Sequence, residues 1–232
     1  MSNKENLPDG YVVLHPRIVR YAHWCWALGV IILIGSGWQI YNQDPLFPSF
    51  TFPSWATIGL GSDEGAERVH NDIGLAGALL WHFAAMWLLF VSIVSYTIYG
   101  ILSGHFRRKF LPIWPSQILH DIGDFFRGHL DHELGVRNAI QKLLYAFAVC
   151  AMLLMVWTGL VLWKPVQFDF LGAPIGEYEG ARYLHFFGMA GIVLFIVVHV
   201  GLTILVPKVL PPMITGKALR SKVAAELRGE AS

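Results

Sequence analysis

RYLHFFGMAGIVLFIVVHVGLTILVP, residues 182–207, carries two histidines fourteen positions apart, His185 and His199, in a run with no charged residue after Arg182. Fourteen helical steps of about 100° return the second side chain to within about 40° of the first, with an axial rise of about 21 Å. The two imidazoles therefore share one face at two depths of a membrane-spanning helix. An ionisable side chain there is expensive unless something pairs with it, so each histidine calls for its own partner near its own membrane surface.

The rest of the chain supports the membrane setting. Of 232 residues, 55% are hydrophobic and 14% charged, more apolar material than a water-soluble globule of this size needs. Residues 21–43, 73–106, 143–163 and 183–207, stretches of 23, 34, 21 and 25, contain no Asp, Glu, Lys or Arg. Each can cross about 30 Å of hydrocarbon. The expected fold is all-α and integral to the lipid bilayer: a four-helix transmembrane bundle forming a single domain over 1–232.

Lys and Arg fall unevenly between the spans. Residues 1–20, 107–142 and 208–232 hold fourteen, whereas 44–72 and 164–182 hold three (Arg68, Lys164 and Arg182). The positive-inside rule then puts both termini and the middle connection in the cytoplasm. The polar start MSNKENLPDG shows no cleaved signal, so the first span is expected to serve as the insertion signal. A net charge of +1 with no basic stripe excludes a nucleic-acid binder. Cys25 and Cys150 lie in apolar segments and read as small core hydrophobes. No Cys-x-x-Cys-His occurs, which excludes covalent haem attachment.

The outer connection 44–72 is rich in proline, aromatic residues and acids, suited to docking another protein or to an ordered interfacial loop. In the middle connection, Ser116 after Pro115 and the helically spaced Ile118, Leu119, Ile122, Phe125 and Phe126 predict a short amphipathic helix on the cytoplasmic face, between the second and third spans.

Depth assigns partners to the two histidines. His23 lies about eight residues on the cytoplasmic side of the first span's midpoint, and His199 about four residues past the midpoint of the antiparallel fourth span. These two share a level. His185, about ten residues outside the fourth midpoint, takes its partner from the second span. His82 there lies about seven residues outside the midpoint; His70 lies about nineteen away, or about 28 Å along a straight helix, near the headgroups. Geometry prefers His82, with His70 as the second choice. Two matched pairs suit bis-histidine ligation of two stacked b haems, the metal in each being haem iron.

A single membrane histidine often does no more than hydrogen-bond between helices, and four in matched depth pairs argue against that for the set. The third span holds no histidine and is expected to pack and to wall the haems. His15, His105, His120, His129 and His132 read as solvated or interfacial, and His129-x-x-His132 is too sparse for a metal site. Gly35, Gly37, Gly74, Gly77, Gly159, Gly188 and Gly191 would allow close approach of flat macrocycles or of neighbouring helices. Arg17 and Arg20 inside, and Arg68 and Arg182 outside, are placed to meet haem propionates or lipid headgroups.

The order of a first-helix histidine in RYAHW, a second-helix histidine and the fourth-helix pair in LHFFGMAGIVLFIVVH resembles the four-helix di-haem cytochrome b subunits of Ni/Fe-hydrogenases and formate dehydrogenases, over nearly the whole chain. WHFAAMW, LSGHFRRK, LWKPVQF and LVPKVLPPMITGK are more closely similar to the cytochrome b proteins found beside periplasmic molybdopterin oxidoreductases. In that subgroup the second-helix ligand sits in the WHFAAMW context, which implies His82; the hydrogenase type has it nearer the helix start, where this chain offers His70.

The resemblance implies electron transfer across the membrane between a periplasmic oxidoreductase subunit, of molybdopterin or Ni/Fe type, and the quinone pool, with menaquinone or ubiquinone as exchangeable substrate. Four histidines fill both axial positions of two irons, so no catalytic residue is expected at the metal; quinone reduction or quinol oxidation is the one chemistry left open. One alternative is a stand-alone oxidoreductase passing electrons between an outer small molecule such as superoxide and quinone. The eight acids and three bases of the outer connections disfavour attracting an anion. The other is a non-redox membrane anchor, which would be colourless.

Overall fold

The computed structural model describes residues 11–59, 72–104, 139–207 and 210–219. Among the described residues, four helices are long and apolar enough to cross a bilayer: α1 (Arg17–Gln43), α2 (Asp72–Leu102), α3 (Ala139–Trp163) and α4 (Glu177–Leu205). The chain is therefore a multi-pass helical membrane protein. The amphipathic helix expected near Ser116, and His70, lie outside the described residues.

Helices and charge-free spans differ at their ends for local reasons. α1 begins four residues before its charge-free stretch because Pro16, whose carbonyl accepts from Val19 and Arg20, pre-sets the first turn. α4 begins at Glu177, six residues earlier than the apolar run, after Gly176 at φ 84°. Glu177 and Glu179 in that first turn complement the positive end of the helix dipole.

The chain packs as two compact units. The first comprises Met1–Arg20, Gly100–Leu153 and Leu194–Ser232. Here the strand β1 (Tyr11–Val13) pairs antiparallel with β2 (Lys217–Leu219), which follows a short helix, α5 (Leu210–Thr215). Charge patterning carried no sign of this small ribbon. Gly216, at φ 82°, turns the chain between α5 and β2, and its carbonyl accepts from Leu14 and His15. Arg20 donates from Nη1 to the Ile214 carbonyl.

The second unit comprises Tyr21–Tyr99 and Leu154–Val193, and contains segments of all four long helices. Beside Val161, its most buried apolar positions are small: Ala78, Ala85 and Ala181 are each no more than 2% exposed, while Leu80, Phe90 and Phe187 face outward. That inside-out pattern is how membrane helices pack, since lipid solvates large apolar side chains and small residues let backbones approach. The connection after α1 folds back on the helices. Asn42 clamps Phe52 with two hydrogen bonds of 2.8 Å, Trp38 stacks on Phe52 at 4.6 Å, and the Ile58 amide donates to the Gly35 carbonyl. The chain then passes directly over α2 at Gly59, whose φ of 105° only glycine adopts freely.

Gly77 on α2 is where that crossing is tightest: a Cβ there would lie 2.5 Å from the Gly59 carbonyl oxygen, backbone against backbone. Gly77→Ala is expected to cost about 1–3 kcal/mol and to lower the melting temperature of the detergent-solubilised protein. Gly201→Ala, where a Cβ meets nothing within 4 Å, should leave that temperature unchanged or raise it.

Candidate functional site

His82 on α2 and His185 on α4 face one another inside the second unit, their ring centroids 6.5 Å apart and their planes inclined by 51°. Both are half-buried. Each is backed by a hydroxyl from a different helix: His82 Nδ1 lies 2.9 Å from Ser36 Oγ on α1, and His185 Nδ1 lies 2.9 Å from Thr158 Oγ1 on α3. Ser36 and Thr158 are wholly buried. Each hydroxyl also reaches the carbonyl one turn back, Ile32 at 2.6 Å and Leu154 at 2.7 Å. Helical back-bonding of this kind holds a Ser or Thr side chain against its own helix.

The next residue on each helix is glycine. A Cβ on Gly37 would lie 3.5 Å from His82 Cε1, and one on Gly159 would lie 3.5 Å from His185 Cε1. Ordinary contact of that kind would not exclude a methyl from the imidazole, but its absence keeps space open beside each ring. The two sides of the site are thus alike: a hydroxyl–glycine dipeptide on one helix meets a histidine on the next.

With Nδ1 of each ring turned to a hydroxyl, Nε2 is the nitrogen available to a metal. Two imidazole nitrogens about 2 Å from opposite sides of one metal atom, with about 1.1 Å more to each ring centre, would set the ring centres about 6.2 Å apart. The observed 6.5 Å fits an axial pair closely. Among the described residues no three or more His, Cys, Asp or Glu side chains gather to bind a bare ion.

Of the other predicted residues, His23 lies on α1 in the second unit, edge-on to Trp24 at 5.1 Å. His199 lies on α4 within the first unit, stacked on Phe195 at 5.6 Å with planes 9° apart. Arg17 opens α1, and Arg20 is bonded to Ile214. Arg182 is engaged within the second unit: Nη2 donates to the Asp44 carbonyl at 2.7 Å and pairs with its carboxylate at 2.8 Å, and Nη1 meets Glu179 at 3.3 Å. This ties the chain after α1 to the start of α4. Nearby, Phe186 packs on Tyr41 and Phe47 at 5.2 and 5.7 Å.

Charge and histidine counting passed over Ser36 and Thr158, because serine and threonine are common in membrane helices. The signal was present in the dipeptides Ser36-Gly37 and Thr158-Gly159, a hydroxyl beside a glycine at one level of two helices.

Comparison with known proteins agrees with this architecture. The family described as prokaryotic cytochrome b561 matches residues 14–216. The putative protein-methionine-sulfoxide reductase subunit YedZ1 of Azospira oryzae is 42% identical over 204 residues, covering 88% of this chain and 96% of that protein. The cytochrome b556(Fdn) subunit of the nitrate-inducible formate dehydrogenase of Escherichia coli K12 is 25% identical over 209 residues, 88% of this chain and 82% of its own length.

Arg182→Ala should cost about 1–2 kcal/mol in detergent unfolding, because it removes a charge-assisted bond to backbone as well as two ion pairs. Asp44→Asn keeps the backbone acceptor and should cost less than half as much.

Proposed function

The chain belongs to the prokaryotic cytochrome b561 family and is a b-type-haem-binding membrane electron-transfer subunit; from that premise we propose that it carries two haems and links a periplasmic oxidoreductase to the quinone pool. The facing pair His82 and His185, at the separation an axial pair requires, is the single observation that carries the reading. These two residues hold the outer haem. His23 and His199 hold the inner one, His199 standing fourteen residues beyond His185 on one continuous helix, an axial rise of about 21 Å.

Bis-histidine b-type haem supplies one-electron transfer with no coordination position open to oxygen or substrate. The protein's own contribution is positional. α2 and α4 present the outer imidazoles, and α1 and α3 back them with hydroxyls. The 44–59 connection, pinned by Asn42, Trp38 and Arg182, covers the outer end and forms the surface to which a partner docks.

The protein lies in the bacterial inner membrane as a single membrane domain, with both termini in the cytoplasm, as its Lys and Arg distribution supports. The 42% identical relative is named for a protein-methionine-sulfoxide reductase, which favours a periplasmic reductase of that kind as partner, with electrons flowing outward from quinol. The quinone, menaquinone or ubiquinone, is exchanged on the inner side near His23 and His199. Arg17 and Arg20, in the first turn of α1, would meet propionates on that side.

Purified protein mixed anaerobically with a reduced menaquinol or ubiquinol analogue should show both haems becoming reduced. In His23→Ala and His199→Ala the outer haem should remain bound, and its reduction by quinol should slow at least tenfold while dithionite still reduces it fully. Unchanged quinol-driven reduction in both variants would contradict the inner-side quinone route.

A further inference from the structure

A hydroxyl has one proton, and in this site its place is fixed by what surrounds it. Ser36 Oγ lies 2.6 Å from the Ile32 carbonyl oxygen and 2.9 Å from His82 Nδ1. A carbonyl can only accept, so the Ser36 proton belongs to Ile32. The contact to His82 then needs its proton from the imidazole: Nδ1–H donates to Ser36 Oγ. Thr158 repeats this, donating to Leu154 at 2.7 Å and accepting from His185 Nδ1–H at 2.9 Å. Both rings are thereby set in the same tautomer, with the Nε2 lone pair turned away from the hydroxyl helix. Each hydroxyl is wholly buried, so no water competes for either bond.

We infer that Ser36 and Thr158 are positioning residues for the haem held by His82 and His185: each takes up the Nδ1 proton of one imidazole, fixes the tautomer that offers Nε2 to iron, and sets ring orientation and ligand basicity. The inference rests on the di-haem reading above and names what tunes its outer site. Partners of this type on ligating histidines raise ligand basicity, and their loss typically costs about 10–100-fold in affinity. A hydroxyl that gives its own proton to a carbonyl is a better acceptor for the ring N–H, since linked hydrogen bonds polarise one another. Greater ligand basicity favours the ferric state, so these bonds hold the outer haem at a lower midpoint potential than unpartnered imidazoles would. One hydroxyl serves each ligand, from two different helices. The two rings are therefore fixed independently, at the 51° they show.

The test uses the full-length protein in detergent, with Ser36→Ala and Thr158→Val to remove each hydroxyl and Ser36→Thr and Thr158→Ser to retain it. A pyridine haemochrome count comes first, then a redox titration and a low-temperature electron paramagnetic resonance spectrum of the ferric protein, with His82→Ala identifying the outer haem. The expected result is a positive shift of the outer midpoint potential in both hydroxyl-free variants, with a changed low-spin signal and the inner haem unmoved. The hydroxyl-retaining variants should return both to wild-type values. Loss of the outer haem from Thr158→Val with retention in Thr158→Ser supports the same assignment, and equal loss from both overturns it. Wild-type potentials and spectra in Ser36→Ala and Thr158→Val also overturn it. A wild type without b-type haem would overturn the di-haem reading beneath it, a failure already visible in the haemochrome count.

Discussion

An imidazole has two nitrogens, and inside a bilayer no water serves either. That constraint organises the second unit of this protein. His82 and His185 each give one nitrogen to a buried hydroxyl on a neighbouring helix, and their ring centres lie 6.5 Å apart. Four helices are needed to do this, because the two histidines and the two hydroxyls come from α2, α4, α1 and α3 in turn. The third span, without a histidine of its own, enters the site through Thr158.

The packing around the pair follows from the same requirement. A flat group between helices would need small residues where the helices close on it; Ala78, Ala85 and Ala181 are buried here, and the half-buried glycines 37 and 159 lie beside the two histidines. Large apolar side chains lie outside, where lipid solvates them at no cost. The connection after α1 is built differently, from stacked aromatic rings, an asparagine clamp and an ion pair. Those are devices of a water-facing surface ordered against a membrane domain.

Much of the fold was legible because the bilayer imposes a simple code. Charge-free stretches long enough to span gave four helices, and the described residues hold four; α1 and α4 start earlier where Pro16 and Gly176 set the first turn, α3 starts four residues early at Ala139, and α2 ends at Leu102. The fourth-helix spacing from His185 to His199 and the relation to cytochromes b were equally open to reading. Three things were not. Hydroxyls of Ser36 and Thr158 carry no charge and no periodicity, so their role shows only once neighbouring helices are placed. The ribbon of β1 and β2 joins residues about two hundred positions apart through backbone alone, which side-chain pattern does not encode. Arg182, read from its outer position as meeting a propionate or a headgroup, is bonded to Asp44 and Glu179, partners whose proximity depends on how the 44–59 connection folds back.

The account stands on His82 and His185 sharing one haem. The most direct measurement is the b-haem content per chain of the wild type, His82→Ala, His185→Ala and His70→Ala, determined side by side by pyridine haemochrome. Two haems in wild type and His70→Ala, falling to the same single haem in His82→Ala and His185→Ala, is the predicted result. Two haems retained in His82→Ala, with one lost in His70→Ala, would contradict it and move the outer ligand to the start of the second helix.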